Sequence, residues 1–196
     1  MTLPAPVATT ARRYTVEEYL ALERQAEYKS EYLDGEIVAM SGGGPIHSRV
    51  KTDLARIVGN QLLGGSCEVF DSDMSVRVDP MLYTYPDATV VCGESQFDDE
   101  TKLLNPTVIF EVLSPTTEAY DRGKKWGRYR RMPSLEQYVL VNQDMPRVEV
   151  YTRERDVWTY SDAEGLDSTI RLKTIDCTLA LRDVYARVTF EDEPAP

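Results

Sequence analysis

Val108-Ile109-Phe110-Glu111-Val112-Leu113 is the stretch on which the reading of the fold turns. Apart from its fourth residue it is a continuous run of apolar, largely β-branched and aromatic side chains. That pattern belongs to a strand buried on both faces. Glu111 breaks it, and a carboxylate in such a place is costly unless it meets a cation, a metal or hydrogen-bond donors. Upstream, Tyr85-Pro86-Asp87 leads an acid into a second apolar run, Ala88-Thr89-Val90-Val91-Cys92. Downstream stands Lys125, four residues after Asp121 in a helix-like stretch. Two acids on buried strands with a lysine nearby are the makings of a divalent-metal site with a charge stabiliser.

Working outward, Thr15 reads as a helix N-cap with Glu17 and Glu18 in the first turn, where the helix dipole favours them, and the helix runs to about residue 25. Strands over 28–33 and 36–40 flank Asp34-Gly35, a two-residue hairpin signal. Gly42-Gly43-Gly44-Pro45 breaks the chain before a helical period over 46–63. Strands are expected at 68–71, 74–78, 88–92 and 107–113, with a polar surface loop over 95–104. A helix over 117–131 is stopped by Pro133. Three strands follow at 137–142, 147–152 and 157–160, and a short helix closes the chain at 179–185. This is an α/β (α+β) chain whose core is a mixed β-sheet flanked by helices. It divides into a loose tail over 1–13, a single domain over 14–190 and a frayed tail over 191–196.

The totals agree with one soluble domain. A length of 196 residues, 42% hydrophobic and 28% charged, suits one sizeable core. Nothing approaches the roughly 18 consecutive apolar residues of a membrane span, and the N-terminus lacks a signal-peptide core, so a cytoplasmic protein is expected. Cys67, Cys92 and Cys177 are widely spaced and odd in number, which argues against a disulfide framework and a zinc cluster. They read as small buried hydrophobes. The formal net charge of −11 opposes non-specific nucleic-acid binding, although a cleft can differ in sign from the whole. Arg122, Lys124, Lys125, Arg128, Arg130 and Arg131 crowd together.

Each candidate has a plainer reading beside the chemical one. Asp87 and Glu111 on adjacent strands about 4.8 Å apart can share a hard cation. Alone, Asp87 also suits a strand-leading turn, and Glu111 a buried ion pair with an arginine. Asp121 and Lys125 equally suit a helix-surface pair at i and i+4. Glu36 reads as a third acid of the site or as a solvent-facing hairpin residue. His47, the one histidine, reads as a loop or capping residue or as a catalytic base. No phosphate-binding loop, dinucleotide fingerprint or nucleophile elbow is present.

Tyr85-Pro86-Asp87, Glu111-Val112-Leu113-Ser114-Pro115-Thr116-Thr117 and Tyr120-Asp121-Arg122-Gly123-Lys124-Lys125 together resemble the Uma2 family. That family belongs to the PD-(D/E)XK restriction-endonuclease-like superfamily. The likeness extends from Tyr14-Thr15-Val16-Glu17-Glu18-Tyr19 and Leu33-Asp34-Gly35-Glu36 to Val148-Glu149-Val150-Tyr151. It implies a restriction-endonuclease-like fold with Asp87 and Glu111 as metal-binding acids and Glu36 as a further site acid. Where the superfamily's simplest pattern has a lysine, this chain has Leu113; by similarity to the family the lysine lies on the next helix and is Lys125. The implied activity is a metal-dependent endonuclease using Mg²⁺ or Mn²⁺ on DNA. Lys125 would position water or stabilise charge, Arg122, Lys124 and Arg128 would contact phosphates, and His47 and Asp121 stand as additional candidates. A homodimer is implied by the same likeness. The rival reading is a non-catalytic binding or assembly module whose acids survive as an ion-paired core.

Overall fold

The computed structural model describes residues 12–40 and 42–190. The tails expected over 1–13 and 191–196 lie outside the described residues, save Arg12 and Arg13. Helix α1 (Val16–Glu23) opens with a capping box. The backbone N–H of Glu18 donates to Thr15 Oγ1 at 3.2 Å, and that of Thr15 to Glu18 Oε2 at 2.9 Å. Strands β1 (Ser30–Leu33) and β2 (Glu36–Ala39) pair antiparallel across Asp34 and Gly35, whose φ values are 49° and 91°. Both central residues being left-handed marks the tight turn that matches strand twist.

Helix α2 (Pro45–Leu62) starts with proline at its first position and buries Val50, Leu54 and Val58 as one stripe. Strands β3 (Cys67–Asp71), β4 (Val76–Asp79), β5 (Leu82–Thr84), β6 (Ala88–Cys92) and β7 (Val108–Leu113) follow. Next comes one helical region in three pieces: α3 (Glu118–Tyr120), a π turn (Asp121–Lys125) and α4 (Trp126–Tyr129). Strands β8 (Gln137–Asn142), β9 (Arg147–Glu154), β10 (Val157–Glu164), β11 (Thr169–Leu172) and β12 (Cys177–Ala180) lead to α5 (Leu181–Val184).

The main sheet has the order β10-β9-β8-β7-β6-β3, with β7 and β8 parallel and every other neighbour antiparallel. A second sheet, β2-β1-β5-β4, and the ribbon of β11 and β12 complete the layers. Alternation along β7 decides what each face meets. Val108, Phe110 and Val112 join the core formed with α2, α5 and the ribbon. Ile109 and Leu113 join the opposite core with Leu103, Tyr129, Leu135 and Tyr138. All six β7 residues are buried, as the apolar run required. Each apolar one contributes about 1.5–3 kcal/mol on burial, which lets the strand carry one paired carboxylate.

Three expectations change. The helix drawn over 117–131 ends at Tyr129, where the 3₁₀-like bonds Arg131 N–H to Arg128 O and Met132 N–H to Tyr129 O tighten the chain, and it carries a π turn over Asp121–Lys125. Strands β5, β11 and β12 were not expected; β5 has only three residues, too few to show a period. Cys67 and Cys92 are opposite one another in the β3–β6 register and form a disulfide, against the reading of three unpaired thiols. Spacing along the chain carried no sign of that register. Cys177 is free and buried, as expected.

Candidate active site

Glu111 lies between Ile109 and Leu113, so it points at the face covered by the helical region from Glu118 to Tyr129. Lys125 descends from that region. Its ammonium lies 3.1 Å from Glu111 Oε1, 3.0 Å from Glu31 Oε1 and 3.3 Å from Asp121 Oδ1. All four groups are buried. The Tyr129 hydroxyl donates to Glu111 Oε1 at 3.0 Å and also lies 2.9 Å from Thr84 Oγ1. Glu31 accepts from the backbone N–H of Tyr85 at 3.2 Å. Asp121 Oδ1 is buried at the longest of the three distances from the ammonium, so this ion pair is the loosest.

Asp87 stands one position before β6, and the register Ala88 to Phe110 sets it opposite Glu111. Its Oδ2 accepts from the backbone N–H of Val112 at 2.7 Å. His47, in the first turn of α2, lies with Nε2 3.3 Å from the same oxygen and 3.1 Å from Val112 O. Gly43 is what lets the imidazole lie there, since a Cβ on it would come within 2.5 Å of His47 Nδ1.

Burial raises the Glu111 pKa well above 4.5, and Asp121, Asp87 and Glu31 push the same way against Lys125. Burial likewise raises Asp121, opposed by Lys125. Burial disfavours the charge on Lys125, but Glu111, Glu31 and Asp121 outweigh it and hold its pKa well above 10.5. Lys125 is therefore an ammonium at neutral pH. Three carboxylates surround the one lysine, and Asp87 stands opposite Glu111 beside them.

The donor set fits a hard divalent cation. Asp87, at the entry to β6, and Glu111, on the neighbouring β7, are both carboxylates, and no donor among the described residues engages Asp87 Oδ1 or Glu111 Oε2. A closed cage is not built: among the described residues no three His, Cys, Asp or Glu side chains are grouped to hold an ion. Two carboxylates with water filling the remaining positions is the usual arrangement for Mg²⁺.

A cavity of about 830 Å³ opens before these groups, and Asp87, Glu111, Lys125, Asp121 and His47 all line it. Glu36 sits at its mouth, half-exposed and 3.5 Å from Arg13. The acid beside Lys125 from this hairpin is instead Glu31, which sequence reasoning missed. Its signal was the one that exposed Glu111, a carboxylate inside a buried strand. Arg122 is held by Glu118 at 2.7 Å and Glu149 at 2.5 Å, and Arg128 by Asp79 at 2.7 Å and Asp34 at 2.5 Å. Of the three expected phosphate contacts, Lys124 alone lines the cavity.

A mixed sheet with helices packed against it makes this an α+β fold. A crystal structure described as a putative nuclease belonging to DUF820, from Anabaena variabilis, shares it. The TM-score is 0.72 at 17% identity, covering 88% of this chain and 98% of that one. Residues 16–182 match the model of the Uma2 family, described as "putative restriction endonuclease", and the chain belongs to that family. Two uncharacterized Synechocystis proteins are related over most of their length. One, slr1290, is 36% identical over 89% of this chain and 92% of its own. The other, sll1609, is 34% identical over 84% of this chain and 95% of its own.

Proposed function

We propose that the protein is a metal-dependent nuclease that hydrolyses phosphodiester bonds of DNA. The observation that carries this is the placement of Asp87, at the entry to β6, opposite Glu111 on β7, both facing one cavity, with the Lys125 ammonium against Glu111. A Mg²⁺ or Mn²⁺ ion held by Asp87 and Glu111 would polarise the scissile phosphate and lower the pKa of the attacking water. The protein's own groups prepare that site. Val112 N–H and His47 orient Asp87, while Tyr129 and Lys125 fix Oε1 of Glu111 and leave Oε2 open. Lys125 remains protonated, so it offsets charge rather than accepting the water's proton. Glu31 and Asp121 hold that ammonium in place.

A second reading has an observation of its own. Lys125 is already enclosed by three carboxylates, which is how a non-catalytic core would neutralise itself. Calorimetric titration of Mn²⁺ and Mg²⁺ into the wild type and Glu111→Gln, followed by cleavage assays on DNA, separates the two. Metal binding and cleavage that both vanish in the variant support the nuclease. A wild type that binds no metal and cleaves no DNA supports the binding module.

A further inference from the structure

The cavity volume of about 830 Å³ is that of a pocket for a small ligand or a single residue of a polymer. Its inner side carries the acid cluster, and its outer wall is apolar. Val38, Met40 and Ile46 line it while remaining 53%, 38% and 37% exposed. Its cations are few. Lys125 is committed to the acids, and Lys29 to Asp73 and Ser72. Lys51, 3.0 Å from Ser72 Oγ, and Lys124 have no carboxylate partner among the described residues. Proteins that grip a duplex electrostatically neutralise about 6–10 phosphates. Here two free ammonium groups serve the cavity of a chain with a net charge of −11.

We infer that this site takes an unpaired stretch of polynucleotide rather than a duplex. One base would lie against Val38, Met40 and Ile46, with the flanking phosphates at Lys51 and Lys124 and the scissile one before Asp87 and Glu111. A paired base hides its face in the stack and would leave that apolar wall against a charged backbone. An unpaired base removes the wall from water, and burial of apolar surface is the favourable term. The inference rests on the phosphodiesterase reading and adds the substrate class to it.

The test is fluorescence anisotropy of a labelled oligothymidylate and of a duplex of equal length, using the full chain with Ca²⁺ in place of Mg²⁺. The single strand should bind at least about tenfold tighter, a difference of about 1.4 kcal/mol. Two phosphate contacts give a log–log salt slope of about −1.4, and Lys51→Ala should reduce its magnitude by about 0.7. Val38→Glu and Met40→Glu, both at exposed positions, should each weaken single-strand binding severalfold while their melting curves stay those of the wild type. Equal or tighter duplex binding, a slope of the size six phosphates give, unaltered binding by both wall variants, or no binding of either oligonucleotide would overturn the inference. Metal binding and Glu111-dependent cleavage that persist alongside duplex preference would sink this inference and leave the nuclease standing. If Glu111→Gln changes neither, the nuclease reading fails and this one with it.

Discussion

The ammonium of Lys125 stands 3.1 Å from Oε1 of Glu111, the one joining a helical layer to the other's strand in the sheet beneath. This pair ties the fold to the site, because Glu31 and Asp121 converge on the same nitrogen. Lys125→Met would leave three buried carboxylates facing one another. Its expected cost is about 3–5 kcal/mol at neutral pH, the usual penalty for unpairing buried charge. Urea unfolding should show the deficit shrinking toward acid pH as the carboxylates protonate. A variant as stable as the wild type at pH 7 would contradict it.

Glu111 gives a pH dependence of opposite sign to that of an ordinary paired acid. Its folded pKa is raised above 4.5 by burial, so the folded state binds more protons than the unfolded one between those two values. In chelator, its contribution to stability therefore falls as pH rises from about 4.5 through the folded pKa. Lys125, raised above 10.5, contributes stability that is complete below that value and is lost only at higher pH, so it does not offset the fall. Glu111→Gln should match the wild type at the acid end and exceed it at the alkaline end of this window. Adding Mn²⁺ should reverse the order, stabilising the wild type alone. Unfolding midpoints across pH, with and without the ion, measure both.

Gly43 makes His47 testable without touching it. A Cβ there would stand 2.5 Å from His47 Nδ1, whereas Gly42 and Gly44 have nothing within 4 Å. Gly43→Ala should lower cleavage about tenfold or more by moving the imidazole off Asp87 and Val112 O. Its melting temperature should hardly change, the position being exposed. Gly42→Ala, outside the helix cap and with nothing within 4 Å, should leave both unchanged, and an equal loss in the two variants would argue against a role for the ring.

The Cys67–Cys92 disulfide joins the edge strand β3 to β6 across 25 residues of sequence. Replacing both cysteines with serine should cost about 2–4 kcal/mol. Thermal melts with and without reductant should show the same loss in the wild type on reduction and none in the variant. A wild type indifferent to reductant would mean that the bridge carries no stability.

Much of the site was legible because burial and charge conflict locally. Glu111 announced itself within its own strand, and the Asp121–Lys125 spacing put acid and lysine on one side of a helix. What spacing left open was depth. A surface pair and a buried one have the same i, i+4 pattern, and only packing against Tyr138 and the sheet puts both residues inside. Arg122 and Arg128 looked free in a basic run, but beyond the local Glu118 their acid partners come from β9, β4 and the hairpin turn. No local window contains those contacts.

The chain by itself determined the two-sided burial of β7, the hairpin at Asp34-Gly35, the helix cap at Thr15 and the acid–lysine chemistry, since each is a matter of period, turn conformation or nearest neighbours. Tertiary structure alone decided which acid of the hairpin enters the cluster. Register pairs Glu31 with Val38 and Leu33 with Glu36, so both acids share the cavity's face. Glu31 is on β1, between β2 and β5, where Lys125 reaches it, whereas Glu36 is on the outer strand beside the turn and meets Arg13 and solvent. Strand order across a sheet is a long-range property, and it set the depth that a two-residue period cannot express.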